Sequence, residues 1–144
     1  MVVHTRAVRF EEVDAAGIVF FGCYANYAHE AMEALFAEVE GGYPRLINER
    51  RIGFPAVGLE VAYEAPLRYG DVLRIEVVCG RLGNRSADLR YRFIRQDGVC
   101  VARMKHTVVV SDLDAMASVD MPADVRAILS ASLQASAGTS MPHQ

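Results

Sequence analysis

The stretch YANYAHEAMEALFAEV, residues 24–39, decides the fold. Its apolar positions Tyr24, Tyr27, Ala28, Ala31, Leu35 and Val39, with Met32 and Phe36 alongside, recur every three or four residues, the period of one helix face. Asn26, Glu30 and Glu33 fall on the opposite side, and Gly41-Gly42 supplies a C-terminal stop. The spacing predicts one long helix of about five turns with a single buried side. Such a helix needs a surface to cover.

That surface is legible downstream. Val57, Leu59, Val61, Tyr63, Ala65 and Leu67 alternate with polar neighbours, as do Leu73, Ile75, Val77 and Cys79, and then Leu89, Tyr91 and Phe93. Period two predicts three half-buried strands, separated by RYGD at 68–71 and LGNR at 82–85. Asp97-Gly98 marks a hairpin into a fourth run, Val99 to Val110. Upstream, Val2, Val3, Val8 and Phe10 mixed with Thr5, Arg6 and Arg9 read as a strand over 2–10. The polar segment from Pro44 to Gly53 reads as a loop or short helical turn, and Val125, Ile128, Leu129 and Leu133 as a short helix with Pro122 in its first turn.

One strand, one long helix and a run of antiparallel strands define an α+β protein. One helix covers only one face of a five-stranded sheet, and the sheet leaves edges that must be hidden. Dimerisation through the sheet is the expected remedy.

At 144 residues the chain fits one domain with one core. That domain is expected over 1–133, followed by a small, polar, flexible tail over 134–144. Apolar runs stay well short of the roughly 18–20 residues of a membrane span, and His4, Arg6 and Arg9 interrupt any secretory signal, so a cytoplasmic location is expected. A formal charge of −3 gives no general pull toward nucleic acid. Cys23, Cys79 and Cys100 form an odd set without CxxC spacing, which argues for reduced thiols. His4, His106 and His143 are scattered, and no metal-ligand spacing connects them with the carboxylates.

The chemistry concentrates at DAAGIVFFGCY, residues 14–24. Between the first strand and the long helix the chain must turn, and Gly17 can adopt a backbone conformation closed to other residues. The turn points the helix N-terminus back toward Asp14. Free N–H groups there, from Phe21, Gly22 and Cys23, carry partial positive charge and can hold an oxyanion. An unperturbed aspartate is ionised at neutral pH and can act as nucleophile or general base. The alternative reading makes Asp14 a structural carboxylate that meets the helix dipole or closes an Asx turn. Cys23, also near the helix start, is a weaker nucleophile candidate, since a helix N-terminus can depress a thiol pKa.

This string resembles the signature of the 4-hydroxybenzoyl-CoA thioesterase family of hotdog-fold proteins: Asp, two residues, Gly, one residue, Val, two aromatic or His positions, and a Tyr ten residues after the Asp. The match needs no gap, and VAYEAPLRYGDVL at 61–73 and PADV at 122–125 resemble the family too, so the likeness covers about residues 5–130. The resemblance implies a hotdog fold, a long helix on a curved antiparallel sheet that dimerises through that sheet. It implies an acyl-CoA thioesterase acting on an aroyl-CoA or a short to medium acyl-CoA, with no metal or redox cofactor. Asp14 becomes the catalytic carboxylate, and the N–H of Phe21, with that of Gly22, polarises the thioester carbonyl.

Gly17, Phe20, Tyr24, His29, Phe54 and Pro55 make up the implied substrate-binding set. Arg81, Arg85 and Ser86 make up the implied CoA-binding set, because arginine suits phosphate. Several relatives carry an acid where this chain has His29, which is either a boundary histidine with a local hydrogen bond or a pocket residue. The partners implied are acyl-CoA and further copies of the chain, as homodimer or homotetramer, with no nucleic acid and no membrane. The rival in another class is a noncatalytic acyl-CoA-binding module that uses the same groove. A hotdog dehydratase would need a histidine near the helix start, and none stands between Thr5 and Ala28.

Overall fold

The computed structural model describes residues 1–134; the expected tail beyond Gln134, with His143, lies outside the described residues. Gln134 itself is fixed, because its N–H donates to the Cys79 carbonyl at 2.9 Å.

The chain runs through β1 (Val2–Ala7), α1 (Cys23–Leu35), α2 (Gly42–Asn48), β2 (Ile52–Gly53), β3 (Ala56–Tyr63), β4 (Val72–Leu82), β5 (Ser86–Arg95), β6 (Cys100–Val109), β7 (Ser111–Asp112), β8 (Ala117–Ser118) and α3 (Ala123–Ala131). Five strands form an antiparallel sheet in the order β1-β4-β5-β6-β3, and β2, β7 and β8 form a small second sheet. This is the α+β hotdog architecture, a helix wrapped by a sheet.

The core follows from two periodicities that face one another. Tyr24, Tyr27, Ala28, Ala31, Met32 and Leu35 are the buried positions of α1. They meet the inward residues Leu73, Ile75 and Val77 of β4, Leu89, Tyr91 and Phe93 of β5, and Met104 of β6, all buried. Each large side chain so buried contributes about 1.5–3 kcal/mol of transfer free energy.

Three local expectations change. The helix is shorter than five turns: α1 ends at Leu35 and tightens into a 3-10 turn over Phe36–Glu38. Gly41 and Gly42, both with positive φ, open α2 rather than close α1. The first alternating segment is not half-buried and does not continue to Leu67. β3 stops at Tyr63, and its inward Leu59 and Tyr63 remain 51% and 50% exposed. The reason is position: β3 is the edge strand beside β6, while α1 packs chiefly over β1 and β4. Its alternation is real, but no described element of the chain covers it.

Candidate active site

Asp14 sits at the tip of a small hairpin. Val13 and Val19 pair as an antiparallel bridge, Asp14 N–H donates to the Ile18 carbonyl and Gly17 N–H to the Asp14 carbonyl, both at 2.9 Å. Gly17 takes φ +79°, and a Cβ there would meet nothing within 4 Å, so the backbone angle rather than space demands glycine. Asp14 Oδ1 accepts from Ala16 N–H at 2.8 Å, the Asx turn that the sequence left open as one reading of this residue. The residue is nevertheless exposed and lines a cavity of about 430 Å³.

The hairpin is docked against the chain leaving β3. Val19 N–H donates to the Leu67 carbonyl at 2.7 Å, and Ile18 bridges Arg68. Val19, Ala65, Pro66 and Leu67 thereby become cavity wall. The next peptide is tied down by Phe20 N–H donating to the Glu12 carbonyl at 2.9 Å. Cys23 N–H then donates to the Phe20 carbonyl at 2.9 Å and α1 begins. Among the described residues, these bonds occupy the N–H groups of Phe20 and Cys23 and leave those of Phe21 and Gly22 without a protein acceptor. Cys23 therefore drops out of the expected trio of free donors.

Phe21, Tyr24 and Tyr63 give the cavity an aromatic lining. Tyr24 is buried, with its ring edge-to-face against Tyr63 at 5.1 Å and Phe93 at 5.5 Å. Burial first, then the neighbouring Tyr63, pushes its phenol up to about 12, so it stays protonated. The Tyr63 hydroxyl donates to the Phe21 carbonyl at 3.0 Å.

Of the residues expected from sequence, the structure brings Asp14, Phe21 and Tyr24 together on this cavity. Phe20 packs against Phe21 with ring centroids 4.6 Å apart and tilted by 39° just outside it, and a Cβ on Gly22 would lie 2.9 Å from the Phe20 ring. His29 is exposed, 3.1 Å from Glu33 and edge-on to Tyr43, and does not line this cavity within one chain. Phe54 stacks flat on Phe36 at 4.7 Å, and the Pro55 carbonyl accepts from Val109 N–H. Both therefore lie beyond the C-terminal end of α1, about 20 Å along the helix from the cavity within one chain. Burial, followed by the charge of Glu12, pushes the Cys23 thiol pKa up rather than down, opposite to what an activated nucleophile needs.

The CoA-binding set is divided. Arg81 forks onto Asp88 through two 3.2 Å contacts and reaches Ser86 Oγ at 3.1 Å. Arg85 instead pairs with Asp120 at 2.7 Å. Both cations already hold carboxylates, so phosphate binding here would have to compete with them. Burial raises the Asp88 pKa, but hydrogen bonds from Arg81 and Thr107 outweigh it and the net shift is downward.

Tyr63, Pro66 and the backbone acceptor Glu12 also shape the site, and the sequence pattern did not single them out. Tyr63 looked like one more inward strand residue; its signal was that it stands last before the Ala65-Pro66 break. Nothing in the sequence marks a carbonyl acceptor such as that of Glu12.

In this hotdog fold Asp14, Phe21 and Tyr24 line one cavity beside the start of α1, where the N–H groups of Phe21 and Gly22 have no acceptor among the described residues. The model of the thioesterase-like superfamily matches residues 8–129, and the chain belongs to that superfamily. A gentisyl-coenzyme A thioesterase of known structure is 30% identical and superposes with a TM-score of 0.79 over 88% of this chain and 98% of its own. A thioesterase-superfamily structure from Jannaschia sp. is 28% identical, with a TM-score of 0.84 over 92% of this chain and 93% of its own. The 1,4-dihydroxy-2-naphthoyl-CoA hydrolase of Gloeothece citriformis is 27% identical over 66% of each chain. That of Synechococcus elongatus is 34% identical over 60% of this chain and 65% of its own. The match thus spans about two thirds of these curated relatives.

Proposed function

We propose that the protein is an acyl-CoA thioesterase that releases free acid and CoA from an aroyl-CoA or a short to medium acyl-CoA, in the 4-hydroxybenzoyl-CoA thioesterase branch of the superfamily. The observation that carries this reading is that Asp14, Phe21 and Tyr24 line one cavity beside the start of α1. Two further facts support an aroyl substrate: the aromatic walls Phe21, Tyr24 and Tyr63, and relatives named for gentisyl-CoA and dihydroxynaphthoyl-CoA.

The thioester carbonyl lies against the N–H groups of Phe21 and Gly22, which stabilise the developing oxyanion. The free Asp14 oxygen attacks the carbonyl carbon, the C–S bond breaks, and the electron pair leaves on sulfur as CoA thiolate. Water then cleaves the mixed anhydride and restores the carboxylate. In the general-base variant, Asp14 takes the proton of the attacking water instead. A thiolate leaves with little acid assistance, so neither variant calls for a metal or redox cofactor.

The working unit is a homodimer, the building block of a homotetramer. Antiparallel pairing of two β3 edges about a two-fold axis sets the Phe54-Pro55 start of one strand beside the Tyr63 end of the other. That pairing brings the loop that one chain keeps at the far end of α1 to the cavity of its partner. No described helix is long and apolar enough to cross a membrane, and the proposed location is cytoplasmic.

The test is thiol release from a panel of aroyl- and aliphatic-CoA thioesters by wild type and Asp14→Asn. Rapid cleavage of aroyl-CoA that disappears in the variant supports the reading. Tight retention of intact acyl-CoA with no turnover by wild type replaces it with the binding-module reading.

A further inference from the structure

Tyr63 is the last residue of the edge strand β3, half exposed, with its ring on the cavity wall. A phenol in that position could give its proton to water. It gives it instead to the Phe21 carbonyl at 3.0 Å, and the direction is unambiguous because a backbone carbonyl can only accept.

The consequence lies on the other side of the peptide. In a planar trans peptide the C=O and the following N–H point in opposite directions, so fixing one fixes the other. The Phe21 carbonyl belongs to the same peptide as the Gly22 N–H. The neighbouring peptide is fixed in the same way, since the Phe20 carbonyl accepts from Cys23 N–H and thereby orients the Phe21 N–H. Each donor at the helix start is therefore aimed through its own carbonyl, the first by a backbone turn and the second by a side chain. Gly22 has no Cβ and no side-chain cap to stiffen it, so among the described residues the tyrosine hydroxyl is the side-chain restraint on that peptide.

We infer that Tyr63 is a positioning residue for thioester hydrolysis: its hydroxyl holds the Phe21–Gly22 peptide so that the Gly22 N–H keeps the direction required for the oxyanion. The inference rests on the thioesterase reading for its catalytic consequence, though not for the peptide orientation itself. It also ties the site to the sheet edge, because the restraint comes from the strand that a second copy is proposed to cover.

Tyr63→Phe keeps the ring, its contact with Tyr24 and the cavity wall while deleting only the donor. The variant is expected to lower kcat by about 10- to 100-fold, the scale of a misdirected oxyanion donor, with KM within about twofold of wild type. A residue that only lines the cavity would move KM instead. The Gly22 amide is read separately by NMR, where Tyr63→Phe should shift its resonance and speed its hydrogen exchange while amides in the middle of α1 keep theirs. Should wild type cleave no thioester, the thioesterase reading fails and the amide measurement alone decides the orientation claim. An unchanged Gly22 amide, or a kcat within about threefold of an active wild type, overturns the inference.

Discussion

Asp14 Oδ1 accepts the Ala16 N–H at 2.8 Å, while no described residue occupies the second carboxylate oxygen. One side chain thus closes a turn and still presents an oxygen to the cavity. The two roles separate by substitution, because asparagine retains the carbonyl oxygen that the turn uses. Asp14→Asn is expected to melt within about 2 °C of wild type yet lose thioester cleavage by about 1000-fold or more. Asp14→Ala should lose activity and also about 1 kcal/mol of stability with the turn bond. Thermal melts beside thiol-release assays check both; full activity in Asp14→Asn leaves only the turn role.

The exposed inner face of β3 leads to a prediction about assembly. Leu59 and Tyr63 point to the same side as buried Leu89, Tyr91 and Phe93, yet are half exposed, and Val57 on the same edge strand is 64% exposed. Light scattering in solution should give at least twice the 15.8 kDa chain mass. Leu59→Lys places a charge on this surface and should yield monomers. If the proposed pairing carries Phe54 and Pro55 to a partner's cavity, the monomers should also be inactive. A monomeric wild type, or an active monomer, defeats the proposed arrangement.

β4, β5, β6 and α1 were legible because each buries apolar positions on one face, and one-sided burial writes a period into the sequence. The same rule misled at β3, where the alternation of Leu59, Val61 and Tyr63 anticipates a surface that the single chain does not contain. Asp14 and Tyr24 stood out through a motif. The Tyr63–Phe21 bond and the Glu12 carbonyl could not stand out, since they depend on backbone groups that every residue has. Phe54 and Pro55 show the opposite limit: the motif match placed them with the acyl group, whereas within one chain they lie beside Phe36 and Val109.

Stability should depend on pH through His106. Its Nδ1 lies 3.3 Å from the hydroxyl of buried Tyr91, and burial, followed by the charge of His29, lowers its pKa below 6.5. In the unfolded chain the imidazole takes up its proton near the ordinary value, whereas in the folded chain it does so only at lower pH. Between these values the unfolded state binds more protons, so stability is full above about pH 6.5 and is lost as pH falls below it. Denaturation midpoints from pH 8 to 5 should show this decline, and His106→Asn should flatten it even if it lowers the midpoint throughout. An identical slope in the variant assigns the decline to other groups.

Arg6 carries the last prediction, because it supports the site without touching it. Its side chain, 9% exposed, contacts Glu12 at 2.8 Å and Glu30 at 3.0 Å, and its guanidinium lies 4.3 Å over the ring of fully buried Tyr27. Tyr27 in turn donates to Glu12 Oε1 at 2.9 Å, and the Glu12 carbonyl holds Phe20 N–H at the approach to α1. Deleting the cation removes the partner of the mostly buried Glu12 carboxylate, 15% exposed, and leaves the more open Glu30 beside it, the costly way to break such a network. Arg6→Met should therefore destabilise the protein by about 3 kcal/mol or more in urea unfolding. Glu30→Gln, at a side chain 40% exposed, should cost about 1 kcal/mol or less. Arg6→Lys should recover only part of the loss, since one ammonium cannot reproduce two separate guanidinium contacts together with the cation–π contact over the Tyr27 ring. Turnover of Arg6→Lys should fall with the loosened Glu12–Phe20 link; equal stability for Arg6→Met and wild type would show that β1 and α1 hold together by apolar packing alone.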